Sequence, residues 1–209
     1  MPVAFLLFLV LQTSELNRLI DGVDRSFAQM RDFSADFTQI FQDPLNRRVQ
    51  ESGHLYLMKQ GKMRWEYKNP EEKLYVSDGK TVYFYLPADR QVSKEAVSKA
   101  IDDRIPLMFL LGRSNLRNEF TSFTLANDKP FLPGDKVIHM SPRRNTDFNE
   151  ITIEVDPLGF AIRRLLFVHT GGERQEFIFS NAQTNTGLKA SLFTFTPPPG
   201  VEVLNGIGR

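Results

Sequence analysis

The sequence predicts a mainly β protein: an antiparallel sheet of about eleven strands, strongly curved or incompletely barrelled, entered through one helix. Three observations carry this. Apolar residues recur with period two through most of the chain. Two-residue turn signals, such as Asp78-Gly79, separate neighbouring runs, as in a meander of hairpins. The aromatic residues are skewed to 18 Phe against 5 Tyr and 1 Trp, so most of the ring area lacks a polar handle and needs an apolar setting.

In chain order, residues 3–11 (VAFLLFLVL) form an apolar run far shorter than the ~20 residues that span a bilayer. Residues 1–12 read as a signal peptide without its basic start, or as an apolar N-terminal segment packed on the protein. Residues 13–209 read as a single domain. From Ser14, a plausible N-cap, the apolar positions Leu16, Leu19, Ile20, Val23, Phe27 and Met30 fall on one stripe of a helix. Strands follow at about 35–42, 49–60, 63–68, 73–78 and 81–86, with turns at Gly61, Asn69-Pro70 and Asp78-Gly79. Residues 93–120 interrupt them with a polar helical stretch, Pro106 and the wholly apolar Leu107, Met108, Phe109, Leu110 and Leu111, which need covering on every side. Strands resume at about 121–126, 135–141, 148–156, 160–169, 173–181 and 191–196. Asp156-Pro157-Leu158-Gly159 makes another turn, and Pro197 to Pro199 stop the last strand. A curved sheet needs a cover over its concave face, and the helical insertion supplies one; a closed barrel filled by its own side chains fits the same pattern.

The charge balance, 26 Lys and Arg against 25 Asp and Glu, provides no field for a nucleic acid, and none is expected as a partner. The absence of Cys excludes disulfides and thiolate chemistry. No nucleophile elbow, metal-protease, P-loop, dinucleotide or calcium-loop motif is present. His54, His139 and His169 fall singly in strands, where structural roles prevail. Glu71-Glu72 and Asp102-Asp103 are adjacent rather than spaced as an acid and base pair. The doublets Arg47-Arg48, Arg143-Arg144 and Arg163-Arg164 lack aromatic stacking partners. No catalytic residue, metal or cofactor is expected.

Several strings, in order, resemble the periplasmic lipoprotein carrier family, LolA. They are Phe33-Ser34-Ala35-Asp36-Phe37-Thr38-Gln39; Gly53 with Leu55, Tyr56 and Leu57; Trp65; Val76-Ser77-Asp78-Gly79-Lys80-Thr81-Val82-Tyr83-Phe84-Tyr85; Pro106-Leu107-Met108; and Phe193-Thr194-Phe195-Thr196-Pro197-Pro198. The resemblance implies an unclosed β-barrel with a helical lid over a hydrophobic cavity, which turns the choice between hollow and filled towards hollow. It further implies a monomeric periplasmic chaperone. Such a protein takes lipoprotein acyl chains from an inner-membrane lipoprotein-releasing ABC transporter to the outer membrane, and to a receptor there if one exists. A lipid or lipoprotein sensor on the same fold is the alternative.

On this resemblance the acyl-chain cavity would be lined by Phe33, Phe37, Leu55, Leu57, Met63 and Trp65, and the lid formed by Pro106, Leu107, Met108, Phe109, Leu110 and Leu111. Strand alternation from Leu55 would place Leu57, Lys59, Met63 and Trp65 on one face. The family has an Arg that latches the lid where this chain reads Met58-Lys59-Gln60; Lys59 keeps the charge without the planar five-donor fork.

Overall fold

The computed structural model describes residues 2–97, 115–143 and 147–206, with the side chains of the first helix described from residue 13 onward. The expected lid residues 106–111 lie outside the described residues. The chain divides into two compact units. One comprises Met1–Gln29, Gln42–Arg47 and Ser114–Ile178; the other comprises Met30–Phe41, Arg48–Arg113 and Phe179–Arg209.

Twelve strands are described: β1 (Asp32–Gln42), β2 (Arg48–Met58), β3 (Lys62–Asn69), β4 (Lys73–Asp78), β5 (Thr81–Leu86), β6 (Gln91–Ala96), β7 (Phe120–Leu125), β8 (Lys136–Pro142), β9 (Phe148–Val155), β10 (Ile162–His169), β11 (Arg174–Thr184) and β12 (Glu202–Asn205). Their hydrogen-bonded order, β12-β6-β5-β4-β3-β2-β1-β11-β10-β9-β8-β7, is linear, with β12 and β7 at its ends, so the sheet does not close on itself. The fold class is therefore the expected one: mainly β, unclosed, with an N-terminal helix.

Three expectations need correction. Residues 91–96 form strand β6, not the start of a helical stretch, because they pair with β5 across a hairpin, Val92 opposite Tyr85 and Lys94 opposite Tyr83. The stretch at 191–196 is not a strand: Ala190–Phe193 is a 3-10 turn that seats fully buried Phe193. The last strand is instead β12, parallel to β6, with Glu202 opposite Gln91 and Asn205 opposite Lys94.

In the first unit, helix α1 runs Pro2–Gln29, so Ser14 lies inside it rather than capping it. Its apolar stripe buries Leu19, Ile20 and Val23. Polar side chains beside that stripe fasten the helix. Glu15 pairs with Lys136 at 3.0 Å. Arg18 donates to the Pro157 carbonyl at 3.0 Å and its guanidinium lies over the Phe160 ring. Asp24 accepts from the backbone N–H of Leu116, the first residue of the short helix α2 (Leu116–Glu119). Gly22 is required here, since a Cβ would lie 2.2 Å from the Phe160 ring. Strands β7 to β10 then form a meander whose buried face carries Ile138, Met140, Ile151, Ile153, Leu165 and Phe167.

In the second unit β2 to β6 pair as successive antiparallel hairpins. The β4–β5 turn is the expected one: Gly79 has φ +95°, and Asp78 accepts from the N–H groups of Lys80 and Thr81 at 2.7 and 2.8 Å. One face of this sheet buries Val76 and Val92 and takes the C-terminal segment, whose Phe195 ring lies 5.5 and 5.7 Å from those of Tyr83 and Tyr85. The other face is the apolar one described next.

Candidate acyl-chain binding face

Antiparallel register sets side chains from four strands in rows. Leu55 on β2 faces Trp65 on β3, which faces Tyr75 on β4, which faces Phe84 on β5; the next row runs Leu57, Met63, Ser77, Val82. Because strand side chains alternate with period two, both rows project from the same side of the sheet. Leu55, Leu57, Met63 and Trp65 are buried. Tyr75 and Phe84 stack with centroids 4.2 Å apart.

Strand β1 extends this face. The Phe37 ring lies 4.7 Å from Trp65 and 5.0 Å from Tyr67, both edge to face. Two positions earlier on the same side is Ala35, and beyond it Phe33, edge to face with Phe179 of β11 at 6.3 Å. Such ring pairs contribute about 0.5–1.5 kcal/mol each beyond the area they bury.

The rim of the face is polar and satisfied. The Tyr67 hydroxyl donates to Gln39 Oε1 at 2.6 Å, burial pushes the phenol above its ordinary pKa, and the ring therefore stays neutral. Lys73, paired with Glu51, sets its ammonium 5.5 Å from the Tyr67 ring centroid. Buried Ser77 donates to the Gly61 carbonyl at 2.8 Å, so its hydroxyl leaves no unmet polar group in an apolar row. Chemically the face is apolar: rings, methyls and a thioether.

The structure brings together Phe37, Leu55, Leu57, Met63 and Trp65, with Phe33 further along β1. It adds Tyr67, Tyr75, Phe84 and Phe179, which sequence reasoning missed; counting alternation across the Asp78-Gly79 hairpin would have found Phe84. Lys59 lies in the turn after β2 rather than within the strand. Strand β2 ends at Met58, Lys59 opens the turn to β3, and its backbone N–H donates to the Arg31 carbonyl at 3.1 Å. Residues Gln60 and Gly61, which follow it, take φ of +70° and +74° and complete the turn into β3.

His54, His139, Arg143, Arg163 and Arg164, outside this face, are bound into the frame. His54 pairs with Asp36. His139 bridges Glu150 and Asp128, each at 2.8 Å. Arg143 donates to the carbonyls of Arg117, Asn118 and Phe120. Arg163 pairs with Asp135 and Asp156, and Arg164 with Glu154 and Glu176. Among the described residues no group of three or more acidic or His side chains is arranged to hold a metal ion.

Residues 28–196 match the family described as Outer membrane lipoprotein carrier protein LolA. The chain belongs to this family. Among LolA relatives, an outer-membrane lipoprotein carrier protein of Nitrosospira multiformis is 31% identical over 206 residues, covering 95% of each chain. That of Bordetella avium is 32% identical, covering 88% of this chain and 86% of its own. That of Methylococcus capsulatus is 30% identical, covering 92% and 88%. A solved structure, an uncharacterized conserved protein from Thermus thermophilus, shares the fold at 14% identity, with a TM-score of 0.55 over 91% of this chain and 98% of that one.

Proposed function

We propose that this chain is a lipoprotein carrier that shelters acyl chains on the apolar face built from Phe33, Phe37, Leu55, Leu57, Met63 and Trp65. Membership of the LolA family supports the carrier reading over a sensor on the same fold. The observation that supports the site is the pair of rows across β2 to β5, where aromatic and aliphatic side chains share one face with Ser77, whose hydroxyl is bonded to the Gly61 carbonyl.

A triacylated anchor has on the order of 45 methylenes, and at ~0.8 kcal/mol each their exposure to water costs roughly 35 kcal/mol. No such cargo crosses an aqueous gap bare. A carrier needs an apolar surface comparable to the membrane it empties, so that transfer stays near balance and partners set its direction. In this reading the carrier works in the periplasm, loads from an inner-membrane lipoprotein-releasing ABC transporter and unloads at the outer membrane or a receptor there. Residues 106–111 close over the face when it is empty, with Lys59 as their latch, and acyl chains displace them.

Lipoprotein-loaded membrane vesicles bearing the transporter provide the test. The chain should carry lipoprotein into the soluble fraction, and mass spectrometry of that fraction should find acylated cargo bound. Met63→Glu, which sets a carboxylate in the apolar row, should abolish this, and the milder Met63→Gln, checked for native circular dichroism, should weaken it. Lipoprotein left wholly in the vesicles by the unaltered chain would overturn the carrier reading; equal extraction by Met63→Glu would overturn the assigned face. Lys59→Leu should raise the uptake of an apolar fluorescent dye, and unchanged uptake would count against the latch.

A further inference from the structure

We infer that the first unit has a second lipid-directed surface: its end formed by the β7–β8 loop and the β9–β10 turn rests on a phospholipid bilayer and inserts Phe131 and Leu158. The register puts these two connections together. Leu125 at the end of β7 pairs with Ile138, Lys136 at the start of β8 with Val155, and Val155 with Ile162 at the start of β10. At this end Phe131 is 55% exposed and Leu158 is 87% exposed.

Both tips are held rigidly. Asp135, closing the β7–β8 loop, pairs with Arg163 at 3.4 Å, and Arg163 pairs with Asp156 of the turn at 3.1 Å. Asp156 accepts from the Leu158 N–H at 3.1 Å, and Arg18 holds the Pro157 carbonyl at 3.0 Å. The Leu132 N–H donates to Glu154 at 2.9 Å, fixing the loop beside Phe131. Fixing these connections costs conformational entropy, and the result is that two large apolar side chains are displayed to solvent.

The occupant follows from shape, charge and direction. Two side chains on separate convex tips offer well under the ~800 Å² that each partner of a stable protein complex buries, whereas a bilayer accepts isolated protruding tips without a complementary pocket. Helix α1 is fastened to this same end through Glu15 and Arg18, which pair with Lys136 and hold the Pro157 carbonyl. The charges at this end balance: Arg18, Lys129, Lys136 and Arg163 against Glu15, Asp128, Asp135 and Asp156. Docking is therefore by apolar insertion, indifferent to headgroup charge and to salt. It gives the carrier a way to meet a membrane, but it needs no cargo and is tested without any.

The chain has no Cys, so single labelling sites can be introduced cleanly. Full-length Phe131→Cys, Leu158→Cys and, at the opposite end of the unit, Thr170→Cys would each carry a polarity-sensitive fluorophore and be mixed with lipoprotein-free phosphatidylcholine or phosphatidylglycerol vesicles. The first two should shift to the blue with both lipids, at low and high salt, and the third should not. Phe131→Ser with Leu158→Ser, checked for native circular dichroism, should lower vesicle partitioning by about a hundredfold. No shift at 131 and 158, an equal shift at 170, or a response confined to anionic lipid at low salt overturns the inference. So does a shift that grows with protein concentration in the absence of vesicles, which would assign these tips to contact between copies of the chain.

Discussion

Removing the Asp32 carboxylate should loosen the second unit by a calculable amount. Asp32 is buried at the start of β1, and its side chain accepts from the N–H and hydroxyl of Thr186 at 2.7 and 3.1 Å and from the N–H of Gly187 at 3.0 Å. These bonds tie the turn after β11 to β1, and Arg31 adds an N–H to Asn185 at 2.7 Å. A hydrogen bond to a charged group contributes about 1.5–3 kcal/mol. Thr186 and Gly187 are themselves exposed, so water replaces part of each bond, and about 1 kcal/mol apiece survives, or ~3 kcal/mol for Asp32→Ala. For a chain of this size that lowers Tm by about 6–12 °C. Asp32→Asn should lose about half as much, since one oxygen still accepts while the amide N–H groups confront an N–H. Burial pushes the Asp32 carboxyl up, but the bonds from Thr186 and Gly187 outweigh it and hold the carboxyl below its usual range. Its stabilisation is therefore complete above the unfolded pKa of about 3.9 and is lost as pH falls through the lower folded value. Thermal unfolding followed by circular dichroism at neutral pH and at about pH 2 checks both points. A gap of less than about 2 °C at neutral pH, or one that persists undiminished in acid, would refute the reasoning.

Gly53→Ala should weaken the protein by at least about 3 kcal/mol in urea unfolding, because the new Cβ would lie 1.8 Å from the Glu66 carbonyl oxygen and 2.8 Å from its carbon, both backbone atoms. Gly134→Ala, with φ +95° but no atom within 4 Å, should cost only about 1–2 kcal/mol, and equal losses would refute the steric account. Burial draws the His139 pKa down, yet its hydrogen bonds to Glu150 and Asp128 outweigh this and raise it. The stabilisation is thus full below the unfolded value of about 6.5 and fades as pH rises through the folded one. His139→Gln should fall behind the unaltered chain most in mild acid and converge with it in alkali; a constant gap would exclude the ion pairs.

Most of the sheet was legible in the sequence because its strands have one apolar face, so period two survives. Leu55, Leu57, Met63 and Trp65 declared themselves in this way. β6 hid because Val92 is followed by Ser, Lys and Glu without a second apolar partner two positions on, which reads equally as a polar helix. β12 hid for a different reason: its four residues are all exposed, leaving no burial pattern to detect. Phe193 and Phe195 suggested a strand, but their rings are set by a 3-10 turn and the irregular backbone after it. The second strand reads as running on to residue 60 although β2 ends at Met58, because Gln60, which takes a positive φ in the turn, is not a residue type that marks one. The membrane-facing tips were unreadable at that level, since Phe131 and Leu158 lie 27 positions apart and only strand register and the Asp135–Arg163–Asp156 chain unite them.

The parallel pairing of β12 with β6 carries a consequence for aggregation at this end of the sheet. Without those four residues, the outward N–H and C=O groups of six-residue β6 would be bare and ready to template a neighbour's backbone. With them, the terminal strand is shorter, and Gly206, bonded to the Lys94 carbonyl at 2.9 Å, follows it at once. A tail shortened before Glu202 would keep its oily face and yet turn into a seed for fibres.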